Sequence, residues 1–280
     1  MRLALFSDIH GKILLPFKLA DHYQNVSGKR IDFILQCGDL GAYPNLEQLD
    51  KATIKHAQYD RDELGFHDDF CTVNPAIQSF LEALNIPMIC VRGNHEDHAF
   101  LDELEQKYPQ EGRFPIDVYG KVWMCKTGWI QTLSEGDETL TFTGIGRIGD
   151  RKQRSEARFI QEYERKELRK LTKSKAHFDI LISHDKEDNT PGYGMPEIRE
   201  LFDQVLFEYH FYGHTGEPFK EEIASNGITR SVKIRELEFE PNGILPAGCM
   251  LILEKNENGL QLEVVEQKWT NSFTKHHWKF

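Results

Sequence analysis

Short apolar runs alternate with amphipathic runs along the first third of the chain. Runs 2–7 (RLALFS), 31–37 (IDFILQC) and 86–92 (IPMICVR) are rich in branched residues, and each ends in a small polar turn. This pattern predicts buried β-strands. Residues 74–84 begin with Asn-Pro, which suits a helix N-cap and first turn, and their apolar side chains recur at helical spacing. The sequence therefore predicts a helix here that packs on the sheet.

The rest of the chain repeats this alternation without an internal repeat or a low-complexity linker, so we expect one α/β domain over 1–280. The pattern predicts, in chain order, a helix through 100–104, hairpin-like strands at 122–133 and 139–149, a solvated helix at 154–175, a strand and turn at 178–185, a helix at 198–206, a strand and turn at 209–216, and a closing hairpin of 248–255 with 260–267.

Composition restricts the classes of partner. The chain has 34 Lys and Arg against 45 Asp and Glu, a net charge of −11. This balance argues against binding to nucleic acid or to an anionic membrane by bulk electrostatics, although it leaves room for a local basic groove. We expect no membrane partner, and nucleic acid only as an alternative.

Cysteine usage and hydropathy favour a cytoplasmic protein. The five cysteines are odd in number and are never arranged as C-x-x-C, so neither a disulfide framework nor a zinc knuckle is predicted. No window approaches the roughly 20 apolar residues that a membrane span requires.

Polar clusters stand at the carboxyl ends of five predicted strands. They are Asp8 with His10, Asp39, Asn94 with His95, His184, and His214. Because strand carboxyl ends gather at one edge of an α/β sheet, we expect these side chains to converge. Carboxylate, amide and imidazole groups suit Mn²⁺, Fe or Zn²⁺. A single Asp at a strand end is usually a helix cap or turn residue, and a single His is more often a core or surface residue than a ligand. The whole set, in this order, predicts a metal centre.

The order of these clusters resembles the calcineurin-like metallophosphoesterase superfamily, whose motifs are matched by SDIHG, CGDLG, RGNHE, ISHD and YGHTG within residues 3–216. The resemblance implies a metallo-dependent phosphatase fold, a central β-sandwich flanked by helices in four αββα layers. It also implies two divalent cations, Mn²⁺ first with Fe or Zn²⁺ as alternatives. The implied activity is hydrolysis of a phosphomonoester or phosphodiester by attack of a metal-bridging hydroxide.

The resemblance assigns a role to each cluster. It places Asp8 and His10 on the first metal, Asp39 between both metals, and Asn94, His184 and His214 on the second.

Two neighbouring residues are expected to act on the substrate itself. The resemblance implies that His95 lies beside the scissile phosphate, where it stabilises the transition state or protonates the leaving alkoxide. Arg92 is expected to form a bidentate contact with phosphate, and the alternative is a surface salt bridge.

Two positions depart from the family pattern, Gly216 and Ala42. Gly216 stands where many members have the second His of G-H-x-H, so we expect weaker binding of the first metal rather than lost function. His210 is a substitute in principle, but it falls within a predicted strand. Ala42 stands where the Ser/Thr protein phosphatases have an Asp that pairs with the catalytic His, which weakens the prediction of that activity.

Two alternatives follow from the same residues. The stretch from CGDLG through VRGNHED to LTFTGIGRIGD is similar to the RNA lariat debranching enzymes, although those commonly have Cys at the position of Asp8. An RNA or DNA phosphodiesterase is therefore one alternative. The other is a non-catalytic phosphate-binding scaffold of the same fold.

Residues 43–72 form the least regular part of the sequence, with many charges and two histidines. Because this segment follows a polar turn at a strand end, it is either a lid over the site or an ordinary surface excursion.

Overall fold

Two β-sheets form the centre of the computed structural model, which describes residues 1–174, 177–189 and 193–279. The strands of this described part are β1 Arg2–Phe6, β2 Phe33–Cys37, β3 Met88–Val91, β4 Arg113–Pro115, β5 Val122–Cys125, β6 Ile130–Glu135, β7 Glu138–Ile145, β8 His177–Ser183, β9 Leu206–Tyr212, β10 Lys220–Ile223, β11 Arg230–Lys233, β12 Leu251–Asn256 and β13 Gly259–Val264. One sheet has the order β13-β12-β1-β2-β3-β5-β4, and the other has the order β10-β11-β9-β8-β7-β6.

Helices cover both outer faces of the paired sheets. In the described residues they are α1 Leu14–Ser27, α2 Lys51–Ala57, α3 Pro75–Leu84, α4 His98–Lys107, α5 Glu162–Ser174, α6 Pro196–Phe202 and α7 Gln267–Thr270.

Three apolar clusters hold these layers together. The first lies between the sheets, where Leu35 and Ile89 of one sheet share a cluster with Phe142 and Phe211 of the other. The second joins the seven-stranded sheet to α1, α3 and α4, and the third joins the six-stranded sheet to α5 and α6. Each fully buried Leu, Ile or Phe stabilises the fold by about 1.5–3 kcal/mol relative to exposure. The expected four-layer αββα sandwich is confirmed.

Parallel strands bring the polar turns to one edge. Strands β1, β2 and β3 run parallel in the first sheet, and β7, β8 and β9 run parallel in the second. Their carboxyl ends therefore meet where the two sheets face each other. The His184 ring, which follows β8, lies 3.0 Å through Nδ1 from the carbonyl oxygen of Cys37 at the end of β2.

The Asn-Pro start and the helical spacing of apolar residues predicted helix α3 correctly. The Asn74 side chain accepts a hydrogen bond from the Ala76 N–H at 3.0 Å and caps the helix, and Pro75 is its first residue. Asn85 is the C-cap that follows the last helical residue, Leu84, and its φ of 50° is left-handed. The closing hairpin of β12 and β13 is also confirmed.

Three predicted elements needed correction. The run 122–133 is not one strand, because the chain turns near Gly128, where φ is 77°, and crosses from β5 in one sheet to β6 in the other. The helix predicted at 198–206 ends at Phe202, and the last of those residues opens β9.

Helix α5 begins later than predicted, at Glu162, because Phe159 and Ile160 are buried in the preceding loop. It is also only partly solvated, since it buries Leu168 and Leu171.

Within the described residues, none of the helices combines the length and the apolar character needed to cross a membrane.

Candidate metal centre

Backbone hydrogen bonds tie together the loops that follow the central strands. The Asp8 N–H donates to the carbonyl of Gly38 at 3.1 Å, and the His10 N–H donates to the carbonyl of Asp39 at 3.0 Å. The two loops after β1 and β2 therefore form one unit, which orients the side chains that project from it.

Four of the expected ligands adopt left-handed backbone conformations. The φ angles are 48° at Asp8, 40° at His10, 51° at Asp39 and 67° at His214. Such conformations cost on the order of 1 kcal/mol or more for non-glycine residues, and they persist where surrounding contacts impose them. Gly213 shows how tight these contacts are, because an added Cβ would overlap Ser7 Oγ and Asp8 Oδ2.

Two groups of ligand atoms share one carboxylate. The ligand atoms of Asp8, His10 and Asp39 lie within 4.8 Å of one another, and so do those of Asp39, His184 and His214. Asn94 completes the second group, since its Oδ1 lies 3.1 Å from His184 Nε2. The structure thus brings all six expected ligands together, with Asp39 at the centre. This donor set of oxygen and imidazole nitrogen atoms fits a pair of divalent cations.

Asp39 is held as a carboxylate. Its Oδ1 accepts the backbone N–H groups of Asn94 at 2.7 Å and His95 at 2.8 Å. Burial alone would raise the pKa of Asp39, but the neighbouring His184 and His95 imidazoles outweigh this effect and lower that pKa well below its ordinary value. The charged form that a metal requires is therefore the favoured one.

His95 has a carboxylate partner that the sequence did not reveal. Its Nδ1 lies 2.6 Å from Asp50 Oδ2, which also accepts the hydroxyl hydrogen of Tyr43 at 2.6 Å. Burial would lower the pKa of His95, but the hydrogen bond with Asp50 and the nearby Asp39 raise that pKa to about 9. Asp50 therefore favours the imidazolium form and fixes the ring.

The backbone of α2 fixes Asp50 in turn. Its Oδ1 caps this helix by accepting the N–H groups of Ala52 at 2.7 Å and Thr53 at 3.0 Å. The sequence contained only a weak indication that Asp50 binds His95, because an Asp before a short helix is typical of any N-cap. Asp50 lies eight residues beyond Ala42, the position at which an Asp that pairs with this histidine was expected.

Arg92 does not line the cavity over the two ligand groups. Its side chain is only 3% exposed, and it pairs with Asp102 at 2.5 Å and with Glu105 at 2.6 Å, both on α4. The expected contact with phosphate would require this cluster to break, so we do not assign Arg92 to the catalytic groups. The alternative of a salt bridge is what the structure contains, although the arginine is buried rather than on the surface.

A carboxylate lies beside Gly216, the position where a histidine is missing. An added Cβ at Gly216 would lie 3.5 Å from Glu236 Oε1. His210 does not substitute for the missing histidine, because it is fully buried between the hydroxyls of Ser183 at 2.6 Å and Ser231 at 2.9 Å.

A cavity of about 350 Å³ opens over the ligand groups, and segment 43–72 forms part of its wall. This segment is more regular than expected, since it contains α2 and three short helical turns, Leu46–Gln48, Arg61–Leu64 and Phe66–Phe70. The residues that it contributes to the wall are Ala52, Thr53, His56 and Glu63.

The chain is similar to known proteins in sequence and in fold. A model of the calcineurin-like phosphoesterase family matches residues 1–218. The lariat debranching enzyme of Arabidopsis thaliana is 28% identical over 104 residues, which are 37% of this chain and only 22% of that protein.

A solved structure shows the same fold. The crystal structure of TT1561 from Thermus thermophilus matches with a TM-score of 0.52 and 15% identity, over 95% of this chain and 99% of that one. A more distant match is the 5'-nucleotidase from Candida albicans SC5314, which has a TM-score of 0.47 and 11% identity, over 99% of this chain and 53% of that one.

Proposed function

Because this chain belongs to the calcineurin-like phosphoesterase family, we propose that it is a dinuclear metal-dependent hydrolase of a phosphomonoester or phosphodiester. The observation that carries the proposal is the carboxylate of Asp39, which is common to both groups of ligand atoms. Two divalent cations held there would neutralise the phosphoryl oxygens and lower the pKa of the attacking water.

The ligands divide between the two cations by position. Asp8 and His10 would hold the first cation, and Asp39 would be shared by both. Asn94, His184 and His214 would hold the second. We propose Mn²⁺ as the ion, with Fe and Zn²⁺ as the alternatives to be compared, because oxygen and imidazole donors suit all three.

His95 is the proposed proton donor. It lines the cavity, and its Nδ1 is bound by Asp50, so Nε2 is the ring atom left to face a substrate oxygen. A protonated imidazole in this place can donate to the leaving oxygen or stabilise negative charge on the phosphoryl group. Asp50 is a positioning residue, because it acts through His95.

Segment 43–72 is proposed to be a functional wall of the site rather than an ordinary surface excursion. Two features support this: its residues line the cavity, and its Asp50 binds the imidazole of His95. Excluding water from such a site strengthens the electrostatic interactions of its charged groups.

Metal titration tests the function. The chain is stripped with a chelator and Mn²⁺ is then added, while bound metal and the hydrolysis of p-nitrophenyl phosphate and bis(p-nitrophenyl) phosphate are measured. We expect two Mn²⁺ per chain at saturation and turnover of at least one ester, because both ligand groups must be filled. Parallel titrations with Fe²⁺ and Zn²⁺ rank the metals. A chain that binds one ion or none and turns over neither ester would instead be a non-catalytic scaffold.

A further inference from the structure

A second and larger cavity adjoins the metal centre. It has a volume of about 730 Å³, and His214 lines both cavities. Its walls come from the loops that follow β7, β8 and β9, so it opens at the same edge of the sandwich. A substrate whose reacting phosphate contacts the metals can therefore extend past His214 into this space.

The charge of this cavity is opposite to that of the whole chain. Two carboxylates, Asp185 and Glu217, stand among its lining residues. The cationic lining residues are Arg151, Lys152, Arg154, Lys186 and Lys220. In a chain with a net charge of −11, this concentration of cations produces a local positive field that attracts anions.

Nearby carboxylates offset part of this field. Asp185 is oriented by the backbone, since its Oδ2 accepts the Gly149 N–H at 3.0 Å and its Oδ1 accepts the Lys186 N–H at 2.8 Å. Lys220 pairs with Glu222. The other four cationic lining residues face the carboxylates of Asp185 and Glu217, so the lining remains positive. Over residues 1–174, 177–189 and 193–279, neither Lys152 nor Lys186 forms a side-chain ion pair. Two ammonium groups therefore remain for a ligand.

We propose that this basic cavity binds a second phosphate group of the substrate, and that the substrate is a nucleotide that bears this phosphate beside the scissile one. The inference rests on the proposed function. A nucleotide fits because its sugar can carry two phosphates close together, and because the ring of Tyr193, which is 67% exposed at the cavity, offers a stacking surface for a base. A free bisphosphate and an oligonucleotide share this chemistry.

A matched pair of chromogenic esters tests the second phosphate. Thymidine 5'-(p-nitrophenyl phosphate) is compared with the same ester carrying a 3'-phosphate, in the presence of Mn²⁺. Charge-assisted hydrogen bonds contribute about 1.5–3 kcal/mol, so we expect kcat/KM to favour the 3'-phosphorylated ester by roughly 10-fold to 100-fold. The double variant K152Q/K186Q should reduce this ratio towards 1.

The control variant K166Q/K173Q removes the same charge from the exposed face of α5, away from the cavity, and should keep the ratio. A wild-type ratio near 1, or a ratio that survives K152Q/K186Q, would overturn the proposal. The proposal would also be overturned if K152Q/K186Q lowered kcat/KM for a doubly phosphorylated peptide but left kcat/KM for the 3'-phosphorylated nucleotide ester unchanged. A 5'-p-nitrophenyl trinucleotide shows whether a strand is preferred to the free bisphosphate.

Binding gives a readout that does not depend on turnover. Calorimetry with thymidine 3',5'-bisphosphate should show weaker binding to K152Q/K186Q than to the wild type or the control. If neither ester is hydrolysed but this difference is found, the proposed function fails while the phosphate site stands. Equal binding by all three chains would refute the site itself.

A separate observation assigns Glu236 to the first metal, in the place of the absent histidine. Its Oε1 lies 3.5 Å from where a Cβ of Gly216 would stand, and it lines the same cavity as Asp8 and His10. Among the described residues, it forms neither a hydrogen bond nor an ion pair, whereas Glu238 is held by Lys12 at 2.8 Å. The carboxylate lies outside the group of ligand atoms formed by Asp8, His10 and Asp39, so its side chain must rotate to reach a cation held there. We infer that it does so and completes the first ligand group, an inference that also rests on the proposed function.

Mn²⁺ binding to the metal-free chain tests this assignment by calorimetry. Glu236→Gln should weaken one of the two sites about 10-fold or more and leave the other unchanged. Glu257→Gln, in the exposed turn between β12 and β13, is the matched control. Two unchanged affinities would refute the assignment alone, whereas a wild-type chain that binds no Mn²⁺ would refute the proposed function together with it.

Discussion

The Asp39→Asn variant is expected to lose hydrolysis almost completely. Asparagine has nearly the same shape, and its Oδ1 can still accept the N–H groups of Asn94 and His95, but it removes the charge that both ligand groups share. We expect fewer than two Mn²⁺ per chain. We also expect kcat/KM to fall by at least about 10³-fold, which corresponds to about 4 kcal/mol of transition-state stabilisation.

The measurement combines metal analysis with aryl phosphate kinetics. Asp137→Asn is the control, because it makes the same chemical change at an exposed position between β6 and β7. Circular dichroism and thermal unfolding show whether each variant is folded. A folded Asp39→Asn protein with wild-type turnover would contradict the shared-carboxylate arrangement.

His95→Asn is expected to lower turnover without removing metal. General acid catalysis typically contributes about 10²–10⁴ in rate, so kcat should fall within this range. Because His95 belongs to neither ligand group, the chain should still bind two Mn²⁺. His177→Asn, at the exposed opposite end of β8 from His184, is the control. Loss of metal from His95→Asn would show that the imidazole is a ligand after all.

A substitution of Asp50 tests whether this residue acts through His95. Asp50→Asn should lower kcat less than His95→Asn does, because it removes only the group that orients the ring. The double variant should be no slower than His95→Asn alone, since residues that act as a unit are not additive. Independent, multiplying effects would mean that Asp50 acts elsewhere, for example only as the cap of α2.

The sequence predicted the elements whose signals are local. Strands β1, β2 and β3 are nearly continuous apolar runs because both faces of their sheet are covered. Helix α3 carries its cap and first-turn proline within three residues. The order of the ligand turns could also be inferred from the sequence, because each turn directly follows such a strand.

Elements that depend on a distant partner were missed. Whether 122–133 forms one strand or two depends on which sheet each half joins, and β5 pairs with β3 while β6 pairs with β7. Arg92 was placed beside phosphate from its position in a motif. Its actual partners, Asp102 and Glu105, lie on α4, which packs on the seven-stranded sheet.

By itself, the sequence determined the alternation of strands and helices and the identity of the side chains at the strand ends, because both follow from short-range order along the chain. The resemblance of its motifs to a known family then implied the αββα class. Only the tertiary structure decided that Asp50 binds His95, that Glu236 stands beside Gly216 and that five cations surround one cavity. These contacts join loops from separate strands, and their geometry arises only when the two sheets pack face to face.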